Sequence, residues 1–257
     1  MLRLFDSHSH LDVPEFDADR PQVLARAKSA GVLEQLVPAV DHASWPGLRY
    51  ACAQDPGLHP AYGLHPVYLE RHQPAHLQAL REWIEREHPR AIGECGLDFF
   101  VEGLDADAQR MYFQGQLEMA REFDLPVVVH ARRAVEEVIV TCKRIGGLRG
   151  IVHSFGGSPE QARQLADLGF LVGIGGPVTY ERARRLRRLA AEAPIDWLVL
   201  ETDAPDQPDA SHRGQRNEPA RLVDVLDVVA RLRGEDPAAV AEATRANVRR
   251  LLGLPSD

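Results

Sequence analysis

Short apolar runs alternate with helical patterns from one end of the chain to the other. The runs predict strands over Leu2 to Asp6, Leu36 to Val40, Ala61 to Leu64, Ala91 to Glu94, Val127 to His130, Gly150 to His153, Phe170 to Ile174 and Trp197 to Glu201. Several, such as Val127-Val128-Val129, are continuously apolar, as strands buried on both faces of a parallel sheet are. Between them the 3.6-residue period predicts helices over Pro21 to Ala30, Trp45 to Gln54, Pro74 to Glu87, Ala106 to Phe123, Ala134 to Ile145, Pro159 to Leu168 and Glu181 to Ala191. Two longer helices, Pro219 to Arg233 and Pro237 to Leu252, close the chain, and Leu222, Val225, Leu226, Val229 and Leu232 form one apolar face of the first. Ser158-Pro159 and Asp236-Pro237 each read as an N-cap followed by proline at the first helical position. Eight strands alternating with helices predict an α/β fold of the (β/α)8 TIM-barrel kind. An open doubly wound sheet is the alternative; its dinucleotide-binding form is weakened by the absence of a Gly-x-Gly-x-x-Gly turn after the first strand.

The chain has 257 residues, 44% of them hydrophobic, enough for one large core. No linker, repeat or low-complexity stretch divides it, so residues 1–257 read as a single domain. No apolar run reaches membrane-spanning length, and no secretory signal pattern opens the sequence. Three well-separated cysteines, Cys52, Cys95 and Cys142, read as reduced thiols of a cytoplasmic protein. A monomer is the default expectation. The net charge of −8 argues against a broad, sequence-independent grip on nucleic acid, but not against a small site made positive by bound metal. The only lysines, Lys28 and Lys143, fall in helical patterns, so neither a Schiff-base lysine nor a carboxylated lysine is available at a strand end.

That matters because the chemistry of such a barrel lies at the carboxyl ends of its strands. Read in order, those ends carry His8 and His10, then His65, Glu94, His130, His153 and Asp203. Residues two apart on a strand point the same way, so His8 and His10 can aim two imidazoles at one point. A lone histidine after a strand is usually structural; metal-capable residues at six of eight strand ends are not explained that way. His8, His10, Glu94, His130, His153 and Asp203 make six groups, too many for one tetrahedral zinc with an open position. They suit two divalent ions sharing a carboxylate, with Glu94 as the bridge. Four positive charges against two carboxylates favour an anionic substrate such as a phosphate ester, and such a pair of ions serves in-line displacement. Zinc, manganese, nickel or iron fit the histidines; magnesium suits four imidazoles less well.

The segments Asp6 to Asp12, Gly63-Leu64-His65-Pro66, Gly93 to Asp98, Pro126 to Arg132, His153-Ser154-Phe155 and Glu201 to Pro205 resemble the TatD family of metal-dependent deoxyribonucleases, within the amidohydrolase superfamily. Gly173 to Tyr180, with Gly214 to Pro219, looks most like the YjjV-type branch. The resemblance spans nearly the whole chain and implies a TIM barrel, divalent metals and hydrolysis of phosphodiester bonds in DNA. One departure is Phe99-Phe100, where many relatives carry an aromatic next to tyrosine. On this basis His8, His10, Glu94 and Asp203 would hold one metal, and Glu94, His130 and His153 the other. Asp203 is then also the general base. Glu201 and Asp98 would orient histidine N–H groups, and His65 would either shape the site or meet the scissile phosphate.

Arg132 could clamp a phosphate through its planar fork. Arg213 and Arg216, after the eighth strand, could touch a nucleic-acid backbone. Arg182, Arg184, Arg185, Arg187 and Arg188 spread around a helix and read as a solvated face. Of Tyr62, Tyr68, Phe99, Phe100 and Phe155, only Phe99 and Phe100 stand out as stacking surfaces for bases. The leading expectation is a DNase, in its narrower form a 3'-5' exonuclease acting on single-stranded ends, with DNA as a transient partner. The alternative is a small-molecule metallohydrolase acting on an ester, amide or lactone; a non-enzymatic binding role comes third, because the ligand set is complete.

Overall fold

The computed structural model describes residues 2–255. Eight parallel strands are paired in sequence order: β1 (Leu4–Asp6), β2 (Val32–Pro38), β3 (Leu58–Tyr62), β4 (Ala91–Asp98), β5 (Val127–Arg132), β6 (Gly150–Val152), β7 (Phe170–Ile174) and β8 (Leu198–Leu200). The ring closes where Ser7 N donates to Leu200 O (2.9 Å) and Asp203 N to His8 O (2.9 Å). The Asp6 carboxylate staples this seam, accepting from Thr202 N (2.9 Å) and Thr202 Oγ (2.5 Å). The architecture is the expected single-domain TIM barrel.

Helices α1 (Arg20–Ser29), α2 (Trp45–Ala53), α3 (Ala75–Glu87), α4 (Ala106–Glu122), α5 (Val135–Ile145), α6 (Pro159–Asp167), α7 (Arg184–Glu192) and α8 (Leu222–Arg233) surround the barrel, and α9 (Pro237–Leu251) follows. Ser158 caps α6 in a reciprocal box with Gln161, and Asp236 caps α9 through Ala238 N. Several boundaries differ from the sequence reading; β4, for one, runs on to Asp98, and α8 starts only at Leu222. β2 begins four residues early, because Glu34 and Gln35 interrupt its apolar pattern yet stay in the ladder. β3 likewise starts at Leu58 and ends at Tyr62. Residues 181–182 are a turn and Ala183 is the N-cap, so α7 starts at Arg184. No helix among the described residues is long and apolar enough to cross a membrane.

The apolar interior falls into two clusters. One lies between sheet and helices. The other fills the barrel with one residue from each strand: Phe5, Leu36, Ala61, Ala91, Val128, Ile151, Leu171 and Val199. Val248 and Leu252, from the end of α9, join this second cluster and plug the amino-terminal end of the barrel.

Candidate metal centre

The residues that fill the barrel also aim the site. Side chains alternate along a strand, so the inward face recurs every second residue. Ala61 leads through Gly63 to His65, Val128 to His130, Ile151 to His153, and Val199 through Glu201 to Asp203. Two strands break this parity. In β4 the inward residues are Ala91 and Glu94, three apart. The register shifts between Ile92 and Cys95, and Gly93 sits there at φ 148°, a conformation that side chains disfavour. In β1 Phe5 and His8 are also three apart, and the chain bends after Asp6, whose carboxylate accepts from His8 N (3.2 Å).

Six groups converge in two sets around Glu94. Glu94 Oε2 lies 3.1 Å from His8 Nε2 and 3.4 Å from His10 Nε2. Asp203 Oδ1 lies 3.5 and 3.7 Å from the same nitrogens, which are 3.1 Å apart. On the other side, Glu94 Oε1 lies 2.8 Å from His153 Nε2 and 3.2 Å from His130 Nδ1, themselves 3.2 Å apart. Donors about 2.0–2.1 Å from one tetrahedral ion are separated by roughly 3.3–3.4 Å, so each set has the spacing of a coordination shell.

Proton accounting separates ligands from donors. His10 Nδ1 donates to Pro38 O (3.1 Å), leaving Nε2 as the lone pair of the neutral ring. His130 Nε2 donates to Asp98 Oδ2 (2.8 Å), leaving Nδ1. His65 is the opposite case. Its Nδ1 accepts from Val67 N (3.1 Å), so the neutral ring carries its proton on Nε2, 3.0 Å from Glu94 Oε1. His65 therefore presents an N–H to the site, although its position alone would admit it as a ligand. Buried Glu94 Oε2, His8 Nδ1 and His153 Nδ1 have no hydrogen-bond partner. A carboxylate oxygen left so among imidazole nitrogens is the arrangement a cation completes.

The electrostatics agree. Burial opposes the charge of Glu94, yet the imidazoles of His65, His153 and His8 hold its carboxyl well below the ordinary range. Burial also opposes charge on His10 and His153, but Glu94 raises them to about 9 and about 10. Burial, helped by the charge of His153, keeps His8 neutral, and burial draws His65 down to about 4. Burial lifts Glu201 to about 8; Ser154 N donates to its Oε1 (2.5 Å), while its Oε2 has no partner. A Cβ on Gly173 would stand 2.1 Å from that Oε2, so β7 makes room for Glu201 by lacking a side chain there. His153 Nδ1 is 3.9 Å from Glu201 Oε1, too long for a hydrogen bond.

Asp98 does meet a histidine N–H, and its Oδ1 accepts from Phe100 N and Val101 N (2.8 and 2.9 Å). Arg132 lies at the exposed end of β5 with its guanidinium 3.6 Å from the Phe100 ring centroid. Arg213 is exposed; Arg216 is not free to grip a nucleic-acid backbone, because it is paired with Asp19 (2.7 and 2.8 Å). Tyr62 packs against Trp45 and Trp83 in the core, Phe155 is buried and Tyr68 lies under Arg71, leaving Phe100 the most exposed of the five aromatics. Of the arginines around α7, Arg182, Arg184, Arg185 and Arg188 are exposed, and the first three line an open cavity beside Ser154. Sequence reasoning missed Gln207, whose Nε2 donates to Asp203 Oδ2 (2.5 Å) while its Oε1 accepts from Ser154 Oγ (2.9 Å). Its only signal was position, four residues past Asp203.

A (β/α)8 barrel with a glutamate shared between two histidine-containing donor sets defines the class. Residues 5–253 match the model of the family described as TatD related DNase, and the chain belongs to that family. It is 37% identical to the metal-dependent hydrolase YjjV of Escherichia coli K12, over 99% of this chain and 100% of that one. It is 36% identical to the 3'-5' ssDNA/RNA exonuclease TatD of Salmonella typhimurium, over 96% and 98%. The crystal structure of YjjV from Escherichia coli K12 superposes with a TM-score of 0.93, covering 99% of both chains at 36% identity.

Proposed function

We propose that this chain is a divalent-metal-dependent phosphodiesterase that hydrolyses nucleic acid, with single-stranded DNA ends as its substrate. The observation that carries this reading is Glu94, whose two oxygens face two separate sets of donors. His8, His10, Glu94 and Asp203 would hold one ion, and Glu94, His130 and His153 the second. Such ions lower the pKa of water and offset charge at the phosphate. Kinship with a relative named as a 3'-5' ssDNA/RNA exonuclease supports nucleic acid as the substrate.

The chain's own residues do the rest. Asp203 accepts the proton of the attacking water through Oδ1, while Gln207 fixes the carboxylate by its other oxygen. His65 donates its Nε2–H to a non-bridging oxygen of the scissile phosphate, the direction its Val67 hydrogen bond imposes. Asp98 holds His130 in the tautomer that leaves Nδ1 free. Arg132, stacked on Phe100, offers its fork to the strand.

A second reading, hydrolysis of a small ester, amide or lactone, uses the same cluster and suits the net charge of −8 better. Metal-stripped protein supplied with manganese, zinc or magnesium and an end-labelled single-stranded DNA separates the two. Metal-dependent cleavage that falls by about 10²–10⁴ in Asp203→Asn, and weakens with added salt, supports the phosphodiesterase. Metal binding without DNA cleavage, alongside turnover of a neutral ester, would sink it.

A further inference from the structure

The phosphodiesterase reading leaves unexplained a cavity of about 290 Å³ on the same face of the barrel, between the loop after β6 and the segment after β7. Its walls include Ser154, Gly156, Gly157, Arg182, Arg184 and Arg185. It adjoins the centre through two residues. Ser154 follows His153 and reaches Asp203 through Gln207. Gly173, which also lines the cavity, backs onto Glu201. The volume sits just below the range for ligand pockets, about 300–1,000 Å³, enough for a phosphate group.

This wall concentrates positive charge in a protein of net charge −8. Some arginines elsewhere, such as Arg26, Arg110, Arg163 and Arg216, are paired with carboxylates. Arg182, Arg184 and Arg185 have no carboxylate within 4.0 Å among the described residues. Arg185 instead donates to Gly156 O (2.7 Å), which bridges the two loops, and Arg182 lies 5.4 Å from the Tyr180 ring. Arg182 precedes α7, so it belongs to the loop and not to the outer face of a helix. Unneutralised guanidinium groups beside a small cavity suit an anion that accepts hydrogen bonds from a planar fork.

We propose that this cavity is a subsite for a backbone phosphate of the same nucleic-acid strand whose scissile diester lies at the Glu94 cluster. The inference rests on the phosphodiesterase reading and extends it. A strand engaged at both places is held by a phosphate it does not lose, so longer substrates gain over single diesters.

The test uses the manganese-loaded protein with two substrates: an end-labelled single-stranded oligonucleotide, and bis(4-nitrophenyl) phosphate, which carries one phosphate only. In Arg182→Gln/Arg185→Gln the ratio of kcat/KM on the oligonucleotide to that on the diester falls about tenfold, mainly through KM. The salt dependence on the oligonucleotide flattens by about 0.7 in log–log slope for each phosphate that the protein no longer neutralises. Arg182→Gln alone, which leaves the Arg185 bridge to Gly156 in place, moves both quantities in the same direction. Arg188→Gln removes an equal charge from the exposed side of α7, away from the cavity, and leaves both unchanged. An unaltered ratio and slope in the double variant would overturn the subsite, as would an equal loss in Arg188→Gln, which points to diffuse attraction. If the parent protein turns over the small diester but spares the oligonucleotide, the nucleic-acid reading itself has failed and the subsite goes with it.

Discussion

The two ends of this barrel solve opposite problems with the same residue types. At the amino-terminal end, Glu34 points from β2 toward α9, and its carboxylate takes Arg249 and Arg245 (3.1 Å), with His59 at 3.6 Å. Burial opposes its charge, but His59 and the arginines hold its carboxyl down at about 2. At the carboxyl-terminal end, Glu94 is buried among imidazoles with Oε2 unsatisfied. Ser154, Asp203 and Gln207 there adopt positive φ (46°, 57° and 50°), which non-glycine residues rarely do. One end surrounds its buried glutamate with arginines; the other leaves an oxygen of its buried glutamate without a partner. In a TIM barrel that division is the expected one between stability and chemistry.

The comparison breaks most directly if the two glutamates behave alike. Glu94→Gln should cost at least about 10³-fold in activity, because one oxygen of each donor set changes character. Glu34→Gln should keep activity but lose about 3 kcal/mol of stability at neutral pH, the worth of a carboxyl shifted from 4.5 to about 2. The sign follows from the depressed pKa. The contribution is complete above pH 4.5 and vanishes as pH falls through about 2, so denaturation curves of parent and variant should converge in that window. Equal unfolding midpoints at pH 7 would show the amino-terminal network to be ornamental.

The second test concerns protons at the open end. In the metal-free protein His10 and His153 stay protonated up to about 9 and about 10, held by Glu94 against the pull of burial. A cation must displace both protons. Against burial, Asp98 and Glu94 raise His130 too, so apparent zinc affinity should rise steeply with pH, at least about 100-fold per unit near neutrality, with release of two or more protons. Titration calorimetry in buffers of different ionisation enthalpy counts them, and a count near zero would mean that the cluster binds metal without these rings.

A smaller effect is expected one step outward. Asp98→Asn keeps an acceptor for His130 Nε2–H but removes the charge that orients the ring. Metal affinity should fall 10–100-fold with unfolding barely changed. A loss of stability instead would make Asp98 a loop anchor through its bonds to Phe100 N and Val101 N.

Much of this arrangement was legible because strand parity and chemistry coincide. In β5, β6 and β8 a buried aliphatic, Val128, Ile151 or Val199, is followed two residues on by His130, His153 or Glu201. An alternating pattern can be read without coordinates. β1 and β4 were legible only by position, since the bend after β1 and the bulge in β4 put His8 and Glu94 three residues past Phe5 and Ala91. What escaped was relational. That His65 is a donor depends on Val67 N, and that Gln207 braces Asp203 depends on a turn. That Arg182 faces a cavity depends on α7 starting at Arg184 and not at Glu181. Hydrophobic periodicity carries no information on any of these, because each is set by a loop.

The smallest prediction asks whether every feature of the open end serves chemistry. Ser158 follows the glycines of the arginine-lined cavity, yet its hydroxyl accepts from Gln161 N (3.1 Å) and its own N–H donates to Gln161 Oε1 (3.0 Å). These bonds satisfy amides at the start of α6. Ser158→Ala should lower stability by about 1 kcal/mol, as loss of a helix cap does, with kcat and KM on the oligonucleotide unchanged. The loop from Ser154 to Ser158 would then divide within five residues, its first hydroxyl bracing Asp203 through Gln207 and its last only starting a helix. A rise in KM for Ser158→Ala with stability unchanged would show instead that the cap's main role is to shape the cavity, and the boundary between scaffold and site would move out to α6.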